Sequence, residues 1–185
     1  AFPTTQPPSL NDDVLIEQWH IPRLDMHVFS LGIGIPRNPP WPDSARFNST
    51  IDFDAIMPDH IVDDDGSPRG NVTVNCQASF KNGALPEVSI ECTGGPEDEV
   101  VWFSMTPYTD LGGNRRPELS FVLDMVRFDM KDRQSPSYFS GGVPITANNA
   151  ANEPSSYLTC LEGPPYDGLR CRIKSYMSVQ NELVI

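Results

Sequence analysis

The sequence predicts an all-β protein: a single disulfide-stapled β-barrel or sandwich of about eight to eleven short antiparallel strands. Three observations lead to this fold class. Apolar and polar residues alternate with a period of two in several segments. Many of the 19 prolines and 13 glycines lie between these segments. The four cysteines lie within the alternating segments. A chain of 185 residues with 38% hydrophobic residues can build one core. We assign residues 1–12 to a flexible N-terminal arm and residues 13–185 to one β-barrel domain.

The charge balance excludes one class of function and the hydropathy another. With 25 acidic against 13 basic residues, the net charge is -12 and the isoelectric point about 4.5. A nucleic-acid-binding protein needs a basic surface to neutralise phosphates, so nucleic acid is not an expected partner. No apolar run reaches the ~18 residues of a membrane-spanning helix, so no membrane insertion is expected.

The first strands are predicted from apolar runs that end at prolines. A first strand is expected from Val14 through residues 19–21, ended by Pro22, and a second over residues 26–35, ended by Pro36. Residues 51–55 alternate apolar side chains with Asp52 and Asp54, which predicts a strand with an acidic outer face.

The next two segments predict a hairpin that carries a disulfide. Residues 71–80 and 87–92 both alternate with period two, and Asn82-Gly83 between them is a turn signal. Matching their apolar faces gives these pairs: Phe80 with Val88, Ala78 with Ile90, and Cys76 with Cys92. Opposed Cα atoms of antiparallel strands lie ~4.5–5.5 Å apart, within the range that a disulfide spans.

The second cysteine pair fits the same interpretation. Opposing Cys160 to Cys171 also brings Leu158 opposite Ile173. Of the connectivities open to four cysteines, the sequential one is therefore favoured. A zinc site is the alternative, but no close C-x-x-C pair or adjacent histidine supports it.

Later segments complete the predicted strands. Residues 100–105 and 119–130 are strongly apolar, and β-branched and aromatic enrichment favours a strand over a helix in the second. Trp102 is expected in the core. Residues 140–154 are expected to form a loop, and residues 176–179 a last strand.

The search for a catalytic or metal site finds no motif. The sequence has no G-x-S-x-G nucleophile elbow, and all four cysteines are expected in disulfides. His20, His27 and His60 lack metal-ligand spacing, so we predict no metal site and no cofactor. A pair of carboxylates brought together by the fold stays open, so enzyme activity is left undecided and is not the expected outcome.

Several residues suggest a secreted protein with an exposed contact region. The chain begins at Ala1 with no apolar leader, as a product whose signal peptide has been removed would, although an artificial chain boundary would look the same. Asn48 and Asn71 head N-x-[ST] sequons. Trp41 lies among prolines and either packs on the barrel or contacts a partner.

An acidic run precedes the first cysteine strand. Asp63, Asp64 and Asp65 do not fit the EF-hand spacing. They form either a solvated turn, which could contact a partner, or a weak calcium site of another type.

The order of strands and cysteines matches a known pattern. It comprises Trp19 and Ile21 in W-x-I, Cys76 and Ala78 in V-x-C-x-A, then Cys92, and the pair Cys160 and Cys171 followed by Ile173. In these features the chain resembles the Alternaria major-allergen family of fungal secreted β-barrel proteins. The family's extra N-terminal cysteine has no counterpart before Cys76, so no covalent dimer is expected.

The resemblance implies a secreted, non-catalytic, effector-like or allergen-like protein that engages extracellular proteins of a host plant. Because residues 36–44 and 57–70 are additional loops, partner specificity is not carried over. Two alternatives stay open. One is a barrel that carries a small apolar or phenolic ligand in a cavity lined by residues such as Trp102, Phe121 and Leu123. The other is a polysaccharide-active hydrolase with two close carboxylates in an aromatic groove and Trp41 as a sugar platform.

Overall fold

The computed structural model describes residues 16–29, 42–67, 69–110, 115–131, 133–134, 136–149, 153–164, 166–173 and 183–185. These residues form ten strands and short 3-10 turns at Asp43–Ala45 and Pro117–Leu119. The first five strands are β1 His20–Val28, β2 Ser49–Pro58, β3 Asn71–Phe80, β4 Ile90–Glu91 and β5 Glu99–Pro107. The other five are β6 Ser120–Asp129, β7 Ser137–Ala147, β8 Ser156–Glu162, β9 Leu169–Ile173 and β10 Leu183–Val184.

The strands form one sheet that curls into a nearly closed barrel. Its order is β3-β2-β1-β9-β8-β7-β6-β5-β4, and β10 pairs with β1. The two end strands, β3 and β4, meet at the bridge between Asn75 and Thr93 and at the Cys76–Cys92 disulfide. The predicted all-β barrel is therefore confirmed. Among the described residues, no helix is long and apolar enough to cross a membrane.

Side chains that alternate along the strands fill the interior. Phe53 on β2 and Phe103 on β5 are buried and meet edge to face with their ring centroids 5.1 Å apart. Phe121, Leu123 and Met125 on β6 are fully buried in the same core. The predicted inward face of this segment is confirmed, and burial of its apolar area stabilises the barrel.

The second cysteine hairpin has the predicted register. Cys160 lies opposite Cys171, Leu158 lies opposite Ile173, and the disulfide joins the two cysteines. Five residue pairs connect β8 and β9 around it.

The first cysteine hairpin is only partly as predicted. The Cys76–Cys92 disulfide is present, and the pairing of Asn75 with Thr93 has the expected register. However, β4 pairs with β5, and Val88 is 71% exposed instead of facing Phe80. The predicted ladder between residues 71–80 and 87–92 is wrong, because residues 87–88 form a bend and the described pairing with β3 is reduced to the bridge of Asn75 with Thr93. The disulfide and one bridge close the barrel there.

The first strand does not end at a proline. Residues 20–28 form one strand through Pro22, where the pairing with β2 shifts register between His20 and Arg23. Such an irregularity accommodates a residue without a backbone N–H inside a sheet. The predicted break at Pro22 is therefore wrong. The predicted arm (residues 1–12), residues 30–35 and the last predicted strand (residues 176–179) lie outside the described residues.

Part of the predicted loop over residues 140–154 is strand β7. It pairs with β6 from Ser137 opposite Asp129 to Thr146 opposite Ser120, which leaves out only its last residue. Its glycines hid this pattern in the sequence; Gly142 lies opposite Asp124, whose carboxylate would have to move to admit a Cβ at that position. β7 and β8 pair in parallel, which is an exception to the antiparallel order that the sequence predicts.

Candidate functional site

Three aromatic side chains form a row on the outside of the barrel. The Trp102 and Phe128 ring centroids are 5.5 Å apart, and those of Phe128 and Tyr138 are 5.0 Å apart, both edge to face. Trp102 is 38% exposed and Tyr138 58% exposed. Trp102 was predicted in the core, and that prediction is wrong. Its neighbours Val101 and Phe103 face inward, so the strand alternation turns Trp102 outward.

The row belongs to a largely apolar surface, which we call the aromatic face. It consists of the outward residues of β5, β6 and β7: Val100, Trp102, Ser104, Thr106, Val122, Asp124, Val126, Phe128, Tyr138, Ser140, Gly142 and Pro144. Exposed Glu91 pairs with Trp102 at its rim. Two of these residues are charged, and both are carboxylates: Asp124 on the face and Glu91 at its rim. An apolar surface patch of this kind is typical of an interaction site.

A second candidate feature is a buried charged group at one end of the barrel. Arg127 lies on the inward face of β6, after Met125, and its side chain is fully buried. Its Nε and Nη2 donate to Glu99 Oε2 at 2.9 and 2.6 Å, and its Nη1 donates to Glu17 Oε2 at 3.1 Å and to the carbonyl oxygen of Pro58 at 2.8 Å. Pairing and hydrogen bonding of this kind make a buried guanidinium tolerable.

His60 completes this group. Its Nδ1 lies 2.7 Å from Asp129 Oδ2 and 3.5 Å from Glu99 Oε1, and its Nε2 contacts Glu17 Oε1. Burial alone would raise the pKa of Asp129, but hydrogen bonds from the Lys131 backbone N–H and from His60 bring that pKa below its usual value. We call Glu17, His60, Glu99, Arg127, Asp129 and Lys131 the charged cluster.

One oxygen in the charged cluster lacks a hydrogen bond. Glu99 Oε1 is buried and finds no hydrogen-bond donor in the described part of the chain. Lys131 Nζ approaches it at 3.6 Å, beyond hydrogen-bond range, and the Lys131 side chain is 34% exposed. Most buried carboxylate oxygens are paired, so this one marks a place where a cation or a donor fits.

A shallow cavity of about 320 Å³ lies beside the charged cluster. Its lining includes Ile16, Glu17, Trp19, Tyr138, Phe139 and Ile185. Of the cluster's three carboxylates, only that of Glu17 lines this cavity, and it already accepts from Trp19 Nε1 at 2.7 Å and from Arg127. A hydrolase would need a second carboxylate facing the same groove.

The outer face of β1 and β2 carries exposed ion pairs. Arg23 donates to Asp54 at 2.9 Å, to Asp52 at 2.6 Å and to Asp25 at 3.0 Å. Hydrogen bonds from Arg23 and Asn75 hold the pKa of Asp52 and Asp54 below its usual range. The predicted acidic outer face of residues 51–55 is confirmed, but Arg23 neutralises much of it.

The other predicted site residues that the structure describes are all exposed. Asn48 and Asn71 are exposed, at the starts of β2 and β3. Asp63, Asp64 and Asp65 form an exposed turn in which Asp63 pairs with Arg69 at 3.0 Å and Asp65 accepts from Ser67. Trp41 lies outside the described residues.

The histidines differ in their surroundings. His20 is exposed, and His27 stacks on Phe47 with ring centroids 4.2 Å apart. The sequence analysis did not predict that His60 belongs to the charged cluster. A usable signal was Arg127, a charged residue in the inward phase of an apolar strand. Comparisons with known proteins found no matching family model, no similar curated protein and no similar solved structure.

Proposed function

We propose that this chain is a secreted, non-catalytic binding protein that engages another protein through the aromatic face. The observation that carries the proposal is the row of Trp102, Phe128 and Tyr138 on three adjacent strands, in which Trp102 and Tyr138 are exposed and Phe128 is half-buried. Tryptophan and tyrosine contribute large contact areas at little conformational cost and dominate many protein interfaces. A paired sheet holds them rigidly, so little entropy is lost on binding.

Charge indicates the chemistry of the partner. Asp124 and Glu91 are the charged groups of the aromatic face and its rim, and the whole chain carries a net charge of -12. A basic partner would be attracted over a long range, and its arginines or lysines would find carboxylates around an apolar centre. We therefore infer a basic extracellular protein. The resemblance to the Alternaria major-allergen family favours one from a host plant, with the effector-like and virulence role which that implies.

Two features support an extracellular location. Two disulfides join all four cysteines, as is usual in oxidising compartments. Asn48 and Asn71 are exposed, so a glycan could be attached at either sequon. Neither asparagine belongs to the aromatic face, so glycans there are compatible with binding.

The two alternatives have less support. A carrier was expected to line its cavity with Trp102, Phe121 and Leu123, but Trp102 faces outward while Phe121 and Leu123 are fully buried in the core. A hydrolase would use two carboxylates at one groove, but Glu99 is tied to Arg127 and 1% exposed. These observations favour recognition at the surface.

The binding test compares an aromatic-face variant with a matched control. The chain is immobilised and exposed to fractionated basic proteins of plant extracellular fluid; a saturable binder is then purified and its Kd measured by titration. We expect Trp102→Ala with Tyr138→Ala to weaken this binding by about 30-fold or more, because interface tryptophan and tyrosine are typical hot spots. Leu161→Ala removes an equally accessible apolar side chain (64% exposed) outside the face and should change Kd by less than about twofold.

Three results would contradict the proposal. One is an unchanged Kd in the double aromatic variant. Another is an association rate that does not fall as salt is raised, since attraction to a basic partner is screened by ions. The third is the absence of any saturable protein binder together with saturable binding to an insoluble plant glucan. Thermal melts of each variant show whether folding is retained.

A further inference from the structure

We propose that His60, Glu99 and Asp129 bind a divalent transition-metal ion, with Zn²⁺ preferred, at the edge of the charged cluster. The proposal does not depend on the partner-binding function. The three side chains each offer one ligand atom, and these atoms all lie within 4.8 Å of one another. Ligands at about 2.0–2.2 Å from one ion lie roughly 3–3.5 Å apart, so small side-chain movements complete the site.

The unpaired oxygen of Glu99 points to a cation. Arg127 occupies Glu99 Oε2 with two hydrogen bonds and thereby fixes the carboxylate, while Oε1 faces His60 and Lys131 without a hydrogen bond. The side chain of Glu99 is 1% exposed, so bulk water does not compensate this oxygen. A metal ion at Oε1 would satisfy this buried oxygen, which has no hydrogen-bond donor in the described part of the chain.

His60 is oriented as metal-bound histidines usually are. Its Nε2 faces Glu17 Oε1, to which an Nε2–H can donate, and an ion would displace the Nδ1 proton that otherwise bonds to Asp129 Oδ2. Metal-bound histidines commonly donate their second N–H to a carboxylate, which fixes the tautomer and the ring. Arg127 also binds Glu17 Oε2, so one guanidinium positions both Glu17 and Glu99.

The local charge suits a divalent ion. The carboxylates of Glu17, Glu99 and Asp129 with the guanidinium of Arg127 leave two negative charges when His60 is neutral. Lys131 partly compensates them from the rim, and its side chain can turn into solvent when an ion enters. Lys131 therefore acts as a competitor for the site.

The ligand types select the ion. One imidazole nitrogen and two carboxylate oxygens suit Zn²⁺, with water as a fourth ligand. Mg²⁺ and Ca²⁺ prefer sites made of oxygen atoms only and should bind much more weakly. Sequence reasoning predicted no metal site because the three ligands lie far apart along the chain, on β5, at the end of β6 and after β2.

The test uses the full oxidised chain, freed of metal with a chelator and titrated with Zn²⁺ by calorimetry. We expect one saturable site in the wild type and a loss of at least about tenfold in affinity for Glu99→Gln. Lys131→Gln should bind Zn²⁺ more tightly than the wild type, because the competing ammonium is gone. Asp65→Asn changes an exposed carboxylate of the acidic turn and should leave the affinity unchanged.

Two further measurements test the coordination of the site and its preference for Zn²⁺ over Mg²⁺. Co²⁺ in place of Zn²⁺ should give the strong visible absorption of a four-coordinate site in the wild type and in Lys131→Gln. Mg²⁺ at the same concentration should give no heat of binding at this site. The proposal is overturned if the wild type shows no saturable Zn²⁺ site, if Lys131→Gln does not bind more tightly, or if Asp65→Asn removes the binding that Glu99→Gln retains.

Discussion

Replacing Arg127 with methionine should lower the free energy of unfolding by about 3–5 kcal/mol, the largest loss we expect from any single substitution. The guanidinium is fully buried and forms hydrogen bonds with Glu99, Glu17 and the carbonyl oxygen of Pro58. Methionine fills a similar volume, so the loss reports on Glu17 and Glu99, which would lose the hydrogen bonds and the charge of the guanidinium. Urea denaturation at neutral pH, followed by tryptophan fluorescence, measures the change.

A matched arginine and a second-site change control this experiment. Arg46 pairs with Asp43 on the surface, where its side chain is 57% exposed, and Arg46→Met should cost less than about 0.5 kcal/mol. Adding Glu99→Gln to Arg127→Met should recover part of the loss, because it removes one buried charge. A cost below about 1 kcal/mol for Arg127→Met would contradict a role of this arginine in stability.

Removing the Cys76–Cys92 disulfide with two alanine substitutions should cost about 3 kcal/mol and open the barrel between β3 and β4. The two cysteines are 16 residues apart, so the bond limits the conformational entropy of the unfolded chain. In the described part of the chain, the disulfide and the backbone hydrogen bonds of the Asn75–Thr93 bridge join these two ends of the sheet. Urea denaturation of the oxidised wild type and of the double alanine variant measures the difference in the free energy of unfolding.

The other disulfide is the control, because its surroundings differ. Cys160 and Cys171 are 11 residues apart, so alanines there should cost nearly as much. Five residue pairs still hold β8 to β9. Hydrogen exchange should therefore accelerate in β3 and β4 in the first variant, while β8 and β9 stay protected in the second. Equal acceleration at both sites would show that the Cys76–Cys92 bond does not close the barrel.

The sequence predicted local pairing well and long-range pairing poorly. Cys160 and Cys171 belong to neighbouring strands, so alternation alone set their register. Around Cys76 the same reasoning predicted the disulfide correctly but not the ladder, since residues 87–88 form a bend instead of continuing the strand. Whether Trp102 faces in or out also depends on its neighbours, because residues 100–103 are all apolar and alternation has no polar marker there.

The charged cluster and strand β7 needed tertiary information. Residues 137–147 contain two glycines and a proline, which indicate a loop, and pairing with β6 overrides that preference. Glu17, His60 and Glu99 are far apart in sequence and meet because the barrel curls. Arg127 and Glu99 carried a local signal, each as a charge on the buried face of a strand.

Oxidative footprinting of the complex with its partner tests the role of the aromatic face most directly. Hydroxyl radicals modify exposed aromatic and aliphatic side chains, and mass spectrometry reads the modification residue by residue. We expect Trp102 and Tyr138 to be modified several-fold less in the complex than in the free chain, with Leu161 unchanged. Unchanged Trp102 and Tyr138, with protection at exposed Ile61 and Val62 beside the acidic turn, would place the contact elsewhere and contradict the account.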